Sequence, residues 1–149
     1  MTTLAELLAT DPIKTQIAPY VASGDDGAVA AIVNTPTIPA YGPILWSTFL
    51  QWAVETQVIL AIAAWKASAD GQVKSIGTAL DYGLQSGQGS IDFSIPANKA
   101  MIDYLLAQGL LGAANHASLL ALAATLLSPA QQAGLGVVSP QDIAQSLRP

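Results

Sequence analysis

The stretch from Asn34 to Ile44 constrains the fold more than any other part of this sequence. It holds three prolines, Pro36, Pro39 and Pro43, and one glycine within eleven residues. Proline lacks a backbone donor and fixes φ, so such a run forms neither a helix nor a central strand. We therefore expect a proline-rich extended segment at 34–44. Segments of this length without their own secondary structure are usually functional or disordered, and the apolar residues here favour ordered packing or contact with a partner.

Helix start signals recur along the rest of the chain. Thr3 and Glu6 have the spacing of a capping box, and Ser128–Pro129 and Ser139–Pro140 each combine a serine cap with a proline in the first turn. Pro19 lies inside the apolar pattern of the second predicted helix, so we expect a break near residue 18 or a helix that starts later. These signals predict a chain that is mostly helical.

The longest helix is predicted from about Leu45 to Ser68. Beyond Gln57 its polar face disappears, because Val58–Trp65 is apolar all round. A helix without a polar side is either central in its domain or covered by another chain. A further helix with little polar surface is predicted at Gly112–Leu127. The predicted fold class is all-α: a multi-helix bundle with one long central helix and a proline-rich extended segment, in a single helical domain spanning 1–149.

Charge is scarce in this chain, and that limits the functions it can have. Only 10% of residues are charged and 52% are hydrophobic, with a net charge of −5, whereas globular proteins average roughly 25% charged residues. Part of the surface must therefore be apolar. The two most apolar windows contain polar side chains, including Glu55 and His116, so no membrane span is predicted. Five scattered basic residues and a negative net charge disfavour nucleic acid.

The chain offers few groups for catalysis. His116 is the only histidine, and Ser118, two positions further on, points elsewhere on a helix. One histidine and no cysteine do not predict a zinc site. Glu55 is either a buried acid of the kind active sites use or part of a polar stripe with Gln51 and Thr48 that faces solvent or a partner's donor, and the spacing favours the stripe. We predict no enzyme activity and no catalytic, cofactor-binding or metal-binding residues.

Apolar side chains between Asn34 and Trp65 are the predicted contacts with a partner. Aromatic residues are favoured anchors at interfaces as well as in cores. The low charge of the chain favours coverage of some apolar area by another protein. The predicted contact residues are Ile38, Tyr41, Ile44, Trp46, Trp52 and Trp65.

Three stretches of the sequence share turn and cap patterns with known proteins: Thr10–Pro12, Asn34–Ile44 and Ser128–Leu147. In these stretches the chain resembles small virion-associated proteins of tailed bacteriophages. The resemblance implies a structural role in the head or tail of a virion, after synthesis in the host cytoplasm. Its partners would be other virion proteins or copies of itself. The alternative is a cytosolic helical adaptor or assembly chaperone that is absent from the finished particle.

Overall fold

The computed structural model describes residues 2–149, which form ten helices and four short strands. The helices are α1 (Leu4–Ala9), α2 (Ile13–Ser23), α3 (Asp26–Asn34), α4 (Trp46–Glu55), α5 (Val58–Lys66), α6 (Gly71–Ser86), α7 (Pro96–Ala107), α8 (Ala113–Ala123), α9 (Pro129–Gln132) and α10 (Pro140–Leu147). The strands are β1 (Ile38–Tyr41), β2 (Pro43–Leu45), β3 (Ser90–Asp92) and β4 (Ala124–Leu127). The mostly helical fold class is thus confirmed. None of the helices in residues 2–149 has both the length and the apolar character needed to cross a membrane.

The chain divides into two compact units. Unit 1 comprises the chain up to Ala40 together with Leu126–Pro149, and unit 2 comprises Tyr41–Thr125. The chain leaves unit 1 in β1 and returns to it in β4. The single domain predicted across 1–149 stays a prediction.

Hydrogen-bonded caps begin three helices of unit 1 where the sequence predicted them. The Thr3 backbone N–H donates to Glu6 Oε2 at 2.7 Å, and the Glu6 N–H donates to Thr3 Oγ1 at 3.3 Å. Ser128 and Ser139 form the same reciprocal box at the starts of α9 and α10. The predicted capping box and both serine caps are confirmed, because each depends only on residues within one turn.

Both ends of the chain contribute to the core of unit 1. Its α3 packs against α2, α9 and α10. Asn34 joins the two ends: its Nδ2 donates to the Val138 carbonyl at 2.7 Å, and its Oδ1 accepts from the Val138 N–H at 3.0 Å. The core consists of Leu8, Ile13, Ile17, Val29, Ala30, Val33, Ala130, Val138 and Ile143. The C-terminal segment is therefore a structural part of unit 1.

Pro19 neither breaks α2 nor delays its start, which corrects the prediction of a break near residue 18 or a helix that starts later. The helix continues from Ile13 to Ser23 with Pro19 inside it. A proline in a helix interior costs about 3 kcal/mol. Ile13 and Ile17, one turn apart, are both buried in the core of unit 1, and each buried isoleucine contributes about 1.5–3 kcal/mol. Burial of this face outweighs the cost of the proline.

The long helix predicted from Leu45 to Ser68 is two helices, α4 and α5. Gln57, between them, has a φ of 61°, in the left-handed region. An α-helix does not continue through a left-handed residue. The change of direction places Trp52 of α4 and Trp65 of α5 in one core. That shared burial is the physical reason for the break, and the central long helix of the prediction is corrected.

The second apolar helix ends earlier than the predicted Gly112–Leu127. The last four residues of the predicted range form the strand β4 instead, and β4 pairs with β1. The Thr37 N–H, just before β1, donates to the Leu127 carbonyl at 3.1 Å. The proline-rich segment is thus extended, as predicted, and it offers backbone partners that favour a strand over a further turn of α8.

Unit 2 has its own core, formed by α4 to α8 with the sheet of β2 and β3. The strands are antiparallel, with Ile44 opposite Ile91. Two glycines of α6 allow close packing: a Cβ at Gly77 would lie 2.5 Å from Lys66 N, and one at Gly83 would lie 2.0 Å from the Trp46 ring. The core consists of Ile44, Phe49, Trp52, Ala53, Val58, Ile62, Trp65, Val73, Ile76, Leu80, Ile91, Phe93, Ile102, Leu105, Leu111, Leu119 and Ala123.

Candidate functional site

Three of the predicted partner contacts lie in the core of unit 2. Ile44, Trp52 and Trp65 are only 3%, 6% and 4% exposed. Their side chains already contact the protein's own interior, so they present almost no surface to another chain. Burial in the core already satisfies the apolar side chains that suggested a partner, and partner binding through these three residues stays a prediction.

The other three predicted contacts, Ile38, Tyr41 and Trp46, are half-buried. The Trp46 ring packs over Gly83 and lies edge-on to Phe49 with 5.4 Å between ring centroids. Lys99 Nζ lies 5.9 Å from the centroid of the Tyr41 ring. Part of each side chain remains accessible, and their role in partner binding stays a prediction.

Several apolar side chains outside the predicted set are more exposed. Leu50 and Val54, one turn apart on α4, are 41% and 56% exposed, and Leu122 on α8 is 46% exposed. At about 100° per residue, Leu50 and Val54 fall on the side of α4 opposite the buried Phe49 and Trp52. On a helical wheel that places Phe49 and Trp52 on the core face, Leu50 and Val54 fall outside that face. We call Leu50 and Val54 the apolar strip of α4.

A depression with a volume of about 220 Å³ lies between α4 and α8 of unit 2. It is lined by Thr48, Gln51, Trp52, Glu55, Ser118 and Leu122. We call it the α4–α8 depression. Thr48, Gln51 and Glu55 belong to it because they recur at helical spacing on one exposed face of α4. The polar stripe considered for Glu55 therefore exists as one wall of this depression.

Two side-chain hydrogen bonds fix the walls of the α4–α8 depression. Gln51 Nε2 donates to Glu55 Oε1 at 2.9 Å, and Trp52 Nε1 donates to Ser118 Oγ at 2.9 Å. The Ser118 hydroxyl in turn donates to the Asn115 carbonyl at 3.0 Å. The Trp52 indole is thereby held in place. A carboxylate has about four acceptor sites, and Gln51 occupies one of those on Glu55.

A second polar cluster joins α7 to α8. Asp103 Oδ1 lies 2.7 Å from His116 Nε2, and Asp103 Oδ2 lies 2.6 Å from Lys99 Nζ. Burial by itself raises the pKa of the Asp103 carboxyl, but hydrogen bonds and charges from Lys99 and His116 outweigh it, so the pKa is lowered. His116 is 14% exposed and bonded to a carboxylate, while the Ser118 hydroxyl is engaged with Trp52 and Asn115. The cluster therefore holds two helices together rather than pairing a base with a nucleophile.

Unit 1 contains a separate depression of about 220 Å³. The predicted contact Ile38 lies in its wall with Asp11 and Gln16. Thr15 Oγ1 donates to Asp11 Oδ1 at 2.6 Å. Like the α4–α8 depression, this depression is lined by apolar side chains and a single carboxylate.

Over residues 2–149 no three histidine, aspartate or glutamate side chains are grouped closely enough to hold a metal ion. Compared with models of protein families, curated proteins and solved structures, the chain shows no match.

Proposed function

We propose that this protein is a non-enzymatic structural component of a tailed-phage virion, in the head or tail, that docks on a larger assembly through apolar surface. The observation that carries the docking role is the apolar strip of α4. Leu50 and Val54 are 41% and 56% exposed on a chain with only 10% charged residues. The virion role is supported by the resemblance of three sequence stretches to phage proteins.

The surroundings of the apolar strip suit a protein interface. Gln51 and Glu55 lie next to it on α4, and Leu122 adds apolar surface across the α4–α8 depression. Protein interfaces typically have an apolar centre and a polar, accessible rim. Single exposed hydrophobic residues are ordinary on protein surfaces. Two on one helical strip with a polar border favour coverage by a partner.

The proposal is tested by changing the apolar strip in phage particles. The double substitution Leu50→Ser and Val54→Ser should lower the copy number of this chain in purified particles about tenfold or more, because each side chain loses about 1 kcal/mol of apolar burial. Quantitative mass spectrometry of the particles measures this loss. Circular dichroism of the purified variant checks that it is folded.

Val137→Ser is the matched control, since Val137 is 87% exposed but lies in unit 1. It should leave the copy number unchanged. Wild-type copy number for the double variant would contradict the proposal. Complete absence of the wild-type chain from purified particles would also contradict it and would favour the assembly chaperone.

A further inference from the structure

We infer that the α4–α8 depression receives an arginine side chain from the protein partner. This inference rests on the proposed function, because it names the chemical group that the docking partner presents to the polar stripe of α4. Three observations lead to it: the charge of the depression, its size and the arrangement of its polar and apolar walls.

The charge of the depression favours a cation. Glu55 is the only charged residue between Gly27 and Trp65, so no basic residue of α4 neutralises it. On α8 the one titratable side chain is His116, and Asp103 is its hydrogen-bond partner. The whole chain carries a net charge of −5. An anionic group would be repelled at this position, whereas a cationic group gains favourable electrostatic energy.

The size of the depression favours one side chain over a free metabolite. Sites for small molecules and cofactors usually enclose about 300–1,000 Å³. The α4–α8 depression has only about 220 Å³ and is bordered by exposed residues. An anchor residue from a partner fits a shallow site of this kind, because the rest of the partner supplies the remaining contacts.

The walls match the two chemically different parts of arginine. Its guanidinium has five N–H donors, and the depression offers acceptors on Glu55, Gln51 and Thr48. Its aliphatic stem can cover apolar surface, which the exposed side chain of Leu122 supplies. A planar guanidinium pairs with a carboxylate through two parallel hydrogen bonds, which a lysine ammonium does not do.

The test uses a pair of peptides that differ by one uncharged replacement. Acetyl-Leu-Arg-Leu-amide is titrated into the full chain, and the same peptide with citrulline in place of arginine is the neutral control. The reporter is the Trp52 Nε1–H signal in a proton–nitrogen NMR spectrum, since Trp52 and its hydrogen-bond acceptor Ser118 both line the depression. The arginine peptide should shift the signal and bind roughly two- to fivefold more tightly than the citrulline peptide, as for an accessible ion pair.

Two variants test whether the preference for the arginine peptide depends on the Glu55 carboxylate. Glu55→Gln should remove the preference for arginine and keep the fold. Asp11→Asn is the matched control, because it removes a carboxylate from the depression of equal volume in unit 1, and it should leave the preference intact.

The inference would be overturned by the absence of a shift of the Trp52 signal, by equal binding of the two peptides, or by a preference that survives Glu55→Gln. A Trp52 shift that grows with protein concentration alone would also overturn it, by assigning the depression to a second copy of the chain. None of these results depends on particle assembly. Reduced incorporation of the Leu50→Ser and Val54→Ser variant without an arginine preference would refute the inference and leave the proposed function standing.

Discussion

Asp103 shows how a single residue can join two helices in a chain with few charges. Its two carboxylate oxygens contact Lys99, one turn earlier on α7, and His116 on α8. The pair with Lys99 follows from their spacing of four residues. The pair with His116, thirteen positions away, depends on how α7 and α8 pack. Of the groups that the sequence offered for chemistry, the histidine therefore has a structural partner.

This contact predicts a pH-dependent contribution to stability. The pKa of Asp103 is lowered in the folded protein, so its stabilisation is fully present above the unfolded value of about 4 and is lost as the pH falls through the lowered folded value. Asp103→Asn should lower the free energy of unfolding at pH 6, because it removes the carboxylate that pairs with Lys99 and His116. The loss should be only about 1 kcal/mol, since the Asp103 carboxylate is partly exposed to water. Urea unfolding of the wild-type protein and the variant at pH 6 and pH 3 measures this difference in the free energy of unfolding. An equal difference at both pH values would contradict the assignment.

The break between α4 and α5 is the main element-scale difference from the sequence prediction. Both segments are good helices by composition, and no glycine or proline separates them. The left-handed Gln57 allows the buried faces of the two helices to meet the same core. Tertiary burial thus determines the end of α4, where local sequence preference predicted continuation.

One substitution made at two glutamines tests the break. Gln57→Gly should raise the free energy of unfolding by about 0.5 kcal/mol, because relief of the left-handed conformation exceeds glycine's entropic cost. Gln51→Gly, inside α4, should lower it by about 1 kcal/mol. Chemical denaturation measures both. If Gln57→Gly is as destabilising as Gln51→Gly, the chain continues as one helix through this position.

At the scale of the whole molecule, unit 1 is assembled from sequence segments at both ends of the chain. Ile143 of α10 is fully buried in a core shared with Val29 and Val33 of α3. The bonds between Asn34 and Val138 reinforce the same arrangement. The C-terminal stretch therefore has a structural role within unit 1.

Two isoleucine substitutions test the structural role of the C-terminal segment. Ile143→Ala should lower the free energy of unfolding by about 2–5 kcal/mol, because it leaves a cavity in a closed core. Ile95→Ala, at a side chain that is 48% exposed, should change it by less than about 1 kcal/mol. Urea unfolding followed by circular dichroism compares them. Equal effects would show that α10 does not contribute to a core.

Features that depend on near neighbours could be predicted from the amino-acid sequence. The caps at Thr3, Ser128 and Ser139 and the extended backbone that follows Asn34 were predictable, because a cap or a proline acts within about one turn of its own position. The stripe of Thr48, Gln51 and Glu55 was predictable for the same reason, since helical spacing alone places them on one face.

Tertiary packing determines the break at Gln57, the strand at Ala124–Leu127 and the burial of Trp52 and Trp65. It also supplied the opposite wall of the α4–α8 depression from α8. Each of these results depends on groups that are far apart in the chain and compete for the same core or the same backbone partners. The sequence shows which residues are apolar, but tertiary packing determines which of them are buried.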